Sequence, residues 1–268
     1  MNRQGEDRRI FEELIAFLDR KKTSVNFSGQ LMLEIGKFFL GKPYVSGTLE
    51  TKKSEHLIVN LRKFDCVTFV ENVIALIQLL KFRKKSFEAF RRSLQKIRYR
   101  QGRLQRYTPR LHYFSDCIHD NQKKGILRDV TTEIGGRPFR KAISFMTRNP
   151  NLYPPLKNES NLERMKSVER TIGRRTLVFI PKKGLRRLED RIRDGDLIAI
   201  TTNREGLDVQ HVGLAARMKN RIHLLHASST EGEVVLSKRT LYRYLMESRA
   251  RSGIMVARVG NADLRSLQ

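Results

Sequence analysis

The chain has no tryptophan, only two cysteines, few acidic residues and no long apolar run. Without a stretch near the ~20 apolar residues that cross a bilayer, a helical membrane span is excluded and no transmembrane segment is expected. Two cysteines, Cys66 and Cys117, cannot build a disulfide framework. They suit a reduced interior, or one reactive thiol beside one packing thiol. The polar start, Met1-Asn-Arg-Gln-Gly-Glu-Asp-Arg-Arg9, offers neither an apolar h-region nor a small-residue cleavage site. The expectation is therefore a chain kept in the cytoplasm, or one of the periplasm or cell envelope whose export signal lies outside the given sequence. Acidic residues number 28 against 54 Lys plus Arg, for a net charge of +26. That balance fits an anionic partner, or a lineage bias toward basic residues. The charges are spread over the whole chain and not gathered in an arm or stripe, so a nucleic-acid partner is not expected.

What is present is enough for a core. A globule of 268 residues buries roughly 75% of the surface its unfolded chain exposes. Apolar residues make up 39%, which suits a globular protein with a heavy charge load. Residues 10–20 and 28–40 read as helices, the second carrying Leu31, Ile35, Phe38 and Phe39 at helical spacing. Gly41-Lys-Pro-Tyr-Val-Ser-Gly47 reads as a loop and Leu57–Leu61 as a short strand. The strongest pattern follows Asp65. Cys66, Phe69, Val70, Val73, Ile77 and Leu80 recur at offsets of 3, 4, 7, 11 and 14, which predicts one buried helical stripe with Asp65 capping its first turn. Residues 83–130 lean helical, 149–161 with Pro150, Pro154 and Pro155 read as an irregular loop, and 161 to about 169 as a helix. Thereafter come five strand candidates, 176–181, 196–202, 211–216, 221–228 and 253–259, with turn signals at Asp194-Gly195 and Lys219-Asn220. Helices followed by neighbouring strands predict an α+β fold with an antiparallel sheet, in a single domain spanning 1–268.

Cys66 opens the predicted helix. A helix N-terminus favours a thiolate, because unpaired amides and the helix dipole point at it. The plain reading is a small apolar residue on the stripe. Histidine is the usual partner of a reactive thiol, and the chain offers His56, His112, His119, His211, His223 and His226. Strand alternation puts 211, 213 and 215 on one face, and 222, 224 and 226 on one face of the next strand. A hairpin between them brings His211 and His226 to the same side of the sheet, and turns His223 away. One histidine then serves as base and the other as its orienter, or both are structural; spacing alone leaves this open. The histidines form no ligand-spaced cluster with carboxylates and cysteines, and no metal or other cofactor is expected.

Phe64-Asp-Cys-Val-Thr-Phe-Val70, Gly41-Lys-Pro-Tyr44, Gly195-Asp196, His211-Val-Gly213 and His226-Ala-Ser228 resemble, in order, the motif series of the NlpC-type papain-like cell-wall hydrolases. Pro43–Leu49, Leu111–Asp116, Gly206–Gly213 and Leu224–Ser229 are similar to its N-acetylmuramoyl-L-alanine amidase-like branch, over roughly residues 30 to 260. Cys117 stands where that branch is expected to carry tryptophan. The resemblance implies a papain-like fold. It implies a Cys66–His211–His226 triad supported by Tyr44 and Asp65, and a thioester intermediate. The implied reaction is hydrolysis of the amide between N-acetylmuramic acid, in its anhydro form, and L-Ala of a muropeptide or peptidoglycan fragment. On this view the core is about 28–82 and 176–260, and about 83–175 is a helical insertion capping the cleft. Arg110, His112, Tyr113 and Asp116 are then candidate substrate contacts, or a polar cap that holds the insertion together. Asp208 either supports His211 or makes an Asx turn. Three other readings stand beside the amidase: a γ-D-glutamyl-diamino acid endopeptidase with the same chemical residues, a polyanion binder on a retired hydrolase fold, and an acyltransferase.

Overall fold

Alternation along the C-terminal strands divides their apolar residues between two opposite faces, and both are covered. The structure, a computed structural model, describes residues 3–21, 29–50, 54–81 and 85–260. Five helices come first: α1 (Arg3–Arg20), α2 (Gly29–Phe38), α3 (Cys66–Lys81), α4 (Phe87–Arg98) and α5 (Phe114–Lys123). A middle stretch holds β1 (Leu127–Asp129), α6 (Thr131–Ile134), β2 (Arg137–Phe139), α7 (Phe145–Arg148) and α8 (Glu159–Gly173). The rest is β3 (Leu177–Pro181), α9 (Leu185–Leu188), β4 (Leu197–Thr202), β5 (Val209–Met218), β6 (Arg221–Ser228), β7 (Glu233–Thr240), α10 (Leu241–Met246) and β8 (Arg251–Val259). The strands form one sheet in the order β2-β3-β8-β4-β5-β6-β7, with β1 also on β8, and every pairing is antiparallel. The architecture is α+β, as the element order predicts.

Leu197, Ala199, Val212, Leu214, Leu225, Met255 and Ala257 face the five N-terminal helices in the main core. Their alternates Ile198, Ile200, Ala215, Leu224, Ile254 and Val256 meet Leu185, Ile192, Leu241 and Leu245 in a second core. Two-sided burial is why these strands read as continuous apolar runs. A third cluster joins Tyr107, Tyr113, Phe145, Met146, Leu156 and Met165. Residues 85–175 therefore serve all three cores: Phe90, Ile97 and Ile118 join the main one, Val130 and Ile134 the second, and 143–172 pack with Tyr107 and Tyr113 in the third.

Two expectations are corrected and one strand is added. Helix α3 is buried on all sides from Thr68 to Leu79, not along one stripe, because α2, α4, β5 and β6 surround it. Each large apolar side chain so buried contributes about 1.5–3 kcal/mol. Residues 57–61 form no strand. Their backbone is satisfied by side chains: Leu61 N donates to Asp7 Oδ1 (2.8 Å) and Arg98 Nη1 donates to the Ile58 carbonyl (2.6 Å). Strand β7 was not foreseen, since only Val234 of its eight residues is fully buried and an edge strand keeps polar positions. The hairpin between β5 and β6 turns at Lys219 and Asn220, whose φ of 45° and 62° match a two-residue turn with both centres left-handed.

Candidate active site

Cys66 is the first residue of α3, and its position is set by a reciprocal cap. Thr68 N donates to Asp65 Oδ1 (2.7 Å) while Asp65 N donates to Thr68 Oγ1 (2.9 Å), so two amides at the helix start are satisfied by side chains. The Tyr44 loop is clamped to this start. Val45 N donates to the Phe64 carbonyl (2.8 Å), Phe64 N to the Pro43 carbonyl (3.0 Å), and Tyr44 N to the Gly232 carbonyl (2.7 Å). Tyr44, Cys66 and the start of β7 are thereby tied together. Burial pushes the Cys66 thiol up to about 12, the Asp65 carboxylate adds to this, and the amides of Val212, Cys66 and Val67 pull the other way. Desolvation outweighs the helix terminus, and the resting group is a thiol. Burial also raises the Tyr44 phenol, with the sulfur as the second cause.

Val212, whose amide helps to lower the Cys66 thiol, follows His211 in β5. His211 Nε2 lies 2.6 Å from His226 Nδ1 on β6, with the rings 4.8 Å apart and nearly perpendicular. The expected same-face pair is thus present. Gly213 makes it possible: a Cβ there would stand 2.9 Å from the Cβ of His226 and 3.1 Å from the Leu225 carbonyl. Burial is the first cause that holds His211 down to about 3, followed by His226 and Arg251; His226 sits at about 4 through burial and then Arg251. A protonated imidazole is disfavoured twice, by desolvation and by the arginine. The pair is neutral, and since Nε2 of His211 is engaged, Nδ1 is the nitrogen without a hydrogen-bond partner among the described residues. His223 turns to the other side, with Nδ1 at 2.9 Å from the Ser237 carbonyl.

Two side chains at the site escaped sequence reasoning. The ring of Tyr244, from α10, lies 6.1 Å from His211 and 5.7 Å from His226. Arg251 stacks on that ring at 3.7 Å. Neither belongs to a motif quoted above, and only the folding of α10 and β8 around the β5–β6 hairpin brings them in.

The remaining candidates meet protein partners. Arg110 donates to the Leu49 carbonyl (2.8 Å) and pairs with Glu50 (2.6 Å). Asp116, 1% exposed, is gripped by Arg100 (2.6 Å) and Arg175 (2.7 Å), which hold its carboxyl low against the opposing effect of burial. Tyr113 Oη donates to Glu169 (2.6 Å), and His112 Nε2 lies 3.0 Å from the Tyr107 carbonyl. Asp208 accepts from Ser115 N (2.8 Å) at the start of α5 and from Val209 N (2.7 Å). From the loop just before β5 it caps the start of α5. Cys117 is buried, with Asn121 Nδ2 3.4 Å from its sulfur, and burial raises it. A cavity of about 550 Å³ opens between the loop 45–50 and residues 56–63, lined by Asp7, His56, Arg62 and Lys63; it contains neither Cys66 nor the histidine pair. Among the described residues, no group of three or more His, Cys, Asp or Glu could hold a metal ion, and no helix is long and apolar enough to cross a membrane.

A family model described as N-acetylmuramoyl-L-alanine amidase-like matches residues 34–254. A crystal structure of an N-acetylmuramoyl-L-alanine amidase from Bacteroides uniformis ATCC 8492 is 41% identical, with a TM-score of 0.82, covering 86% of this chain and 98% of that one. A Bacteroides fragilis structure provisionally called a xylanase is 40% identical, with a TM-score of 0.78, covering 84% of this chain and 98% of that one. A Legionella pneumophila str. Philadelphia 1 protein of the DUF1460 family shares the fold at 21% identity, with a TM-score of 0.71, covering 96% and 94%. No curated protein matches.

Proposed function

The chain belongs to the N-acetylmuramoyl-L-alanine amidase-like family, and on that premise we propose that it hydrolyses the amide joining the lactyl group of N-acetylmuramic acid to L-Ala in peptidoglycan fragments. In this reading Cys66 is the nucleophile, His211 its base and His226 the orienter, on a papain-like NlpC-type scaffold. The observation that carries it is the 2.6 Å contact between His211 Nε2 and His226 Nδ1. A donor at Nε2 fixes the tautomer, which leaves Nδ1 of His211 with a lone pair for the Cys66 proton.

The steps balance without a co-reactant other than water. His211 Nδ1 takes the thiol proton as sulfur attacks the lactyl carbonyl carbon. The carbon–nitrogen bond then breaks, and the imidazolium gives its proton to the departing L-Ala nitrogen. Water, deprotonated by His211 Nδ1, attacks the thioester carbonyl; the carbon–sulfur bond breaks and the imidazolium returns its proton to sulfur, restoring the thiol. Because thiol and imidazole both rest neutral, charge is created only as the bond forms. The Cys66 amide, with Tyr44, receives the oxyanion. Asp65 serves by holding the helix start. Arg110, His112, Tyr113, Asp116 and Asp208 serve by fixing the wall built from 83–175, and the preference for anhydro-muramyl fragments belongs to that wall. A glycosidase would require two carboxyl groups flanking a bond; Asp65 and Asp208 are both spent on helix caps.

Mass spectrometry of products tests this. The protein and its Cys66→Ala variant are each given a disaccharide anhydro-muropeptide. Release of the intact stem peptide by the unmodified protein alone is the expected result. Cleavage inside the stem makes it the endopeptidase, and no cleavage by folded protein removes the hydrolase reading.

A further inference from the structure

Half-buried arginines in this protein find carboxylates. Arg62 pairs with Asp7, Arg100 and Arg175 with Asp116, Arg221 with Glu189, and Arg258 with Asp196. Arg251, also half-buried at the start of β8, does not: among the described residues no carboxylate pairs with it. Its guanidinium is nevertheless held in place, stacked 3.7 Å over the Tyr244 ring with Nη1 donating to the Tyr244 carbonyl. The acidic residue that closes α10, Glu247, is taken by Arg239 (2.7 Å). The same Tyr244 ring borders both His211 and His226. A positioned cation without a counter-ion therefore stands beside the histidine pair.

We propose that Arg251, oriented by Tyr244, binds a carboxylate of the substrate next to the His211–His226 pair, so that the site selects acyl donors bearing a free carboxyl group. A guanidinium presents parallel N–H groups that match a carboxylate, and stacking on an aromatic ring fixes its plane beforehand. Muropeptide stems carry such carboxylates. The substrate class rests on the amidase reading, whereas the anion site rests on the geometry alone. Arg251 is a binding residue and takes no proton. Its charge also opposes protonation of both imidazoles, which a bound carboxylate would relieve.

The test uses alkylation of Cys66 by iodoacetate and by iodoacetamide, followed by peptide mass mapping with buried Cys117 as internal reference. The rate ratio of the anionic to the neutral reagent is compared in the unmodified protein, Arg251→Met, Arg251→Lys and Lys183→Met, an exposed cation on α9's flank that controls for net charge. Arg251→Met is expected to lower the ratio about fivefold or more, with Arg251→Lys retaining most of it and Lys183→Met unchanged. In the unmodified protein, acetate should slow alkylation by iodoacetamide and acetamide should not. A ratio in folded Arg251→Met within about twofold of the unmodified protein, or equal effects of acetate and acetamide, overturns the proposal. Muropeptides with free and amidated stem carboxyls then separate the two ideas. Alkylation selectivity without cleavage of any muropeptide sinks the amidase and leaves the anion site standing. Cleavage without selectivity does the reverse.

Discussion

Two clusters of polar residues, one in the wall and one around the histidine pair, differ in how their bonds are closed. In the wall, Arg110, Tyr113, Asp116 and Asp208 meet Glu50, Glu169, two arginines and the α5 amides. In the site, His211 Nδ1 and the Arg251 charge have no such partner among the described residues, and the Cys66 thiol is held by packing on the main core beside the helix start. A buried polar group that is fully answered by protein is spent on structure. One that is held firmly yet left unanswered is available to a ligand. By that criterion Arg110, Tyr113, Asp116 and Asp208 read as frame, and Tyr244 and Arg251, which no motif marked, as groups open to a ligand.

The sharpest way to break this contrast is to remove the base. His211→Ala should lower hydrolysis by about 10²- to 10⁴-fold with Tm nearly unchanged. His211→Ala/His226→Ala should be no slower than His211→Ala, since the two act as a unit; additive losses in steady-state kinetics would separate them. Asp116→Ala should do the opposite. It leaves Arg100 and Arg175 facing an emptied site, costs about 3 kcal/mol, and lowers Tm by roughly 6–12 °C in calorimetry, with kcat/KM of the remaining folded enzyme changed less than threefold. If activity collapses while Tm holds, Asp116 belongs to the site after all.

pH sharpens the comparison further. Both imidazoles are held below their ordinary value near 6.5, at about 3 and about 4. Between pH 6.5 and 4 the unfolded chain takes up protons that the folded chain refuses, so stability must fall as pH falls through that window. Replacing His226 with Gln should flatten the dependence of Tm on pH there; a slope identical to that of the unmodified protein would mean the histidines are not held neutral. The smallest effect is expected for Gly213→Ala. Its methyl meets the Cβ of His226 at 2.9 Å. The ring must shift, and hydrolysis should slow about tenfold while binding of the stem peptide is retained.

The fold class and the β4, β5, β6 and β8 strands were legible because two-sided burial leaves long apolar runs. The hairpin at Lys219-Asn220 announced itself by turn chemistry, and that hairpin, with period-two alternation, was enough to pair His211 with His226. What could not be read were features set by distant parts of the chain. Residues 57–61 have strand composition, yet Asp7 and Arg98 take their backbone groups. At Cys66 the helix terminus that favours a thiolate is a local signal, whereas the burial that opposes it is set by distant parts of the chain. Tyr244 and Arg251 lie 18 and 25 residues beyond His226, and nothing in their neighbourhood distinguishes them from the other tyrosines and arginines.

The central claim is that Cys66 carries the acyl group of the sugar. Acid-quenching the enzyme milliseconds after mixing with a disaccharide anhydro-muropeptide, then mapping the peptide that contains Cys66 by mass spectrometry, reads that directly. An adduct with the mass of the disaccharide bearing its lactyl acyl group is the predicted result. An adduct that also carries L-Ala and D-Glu, or turnover with an unmodified Cys66 peptide at every quench time, would contradict it.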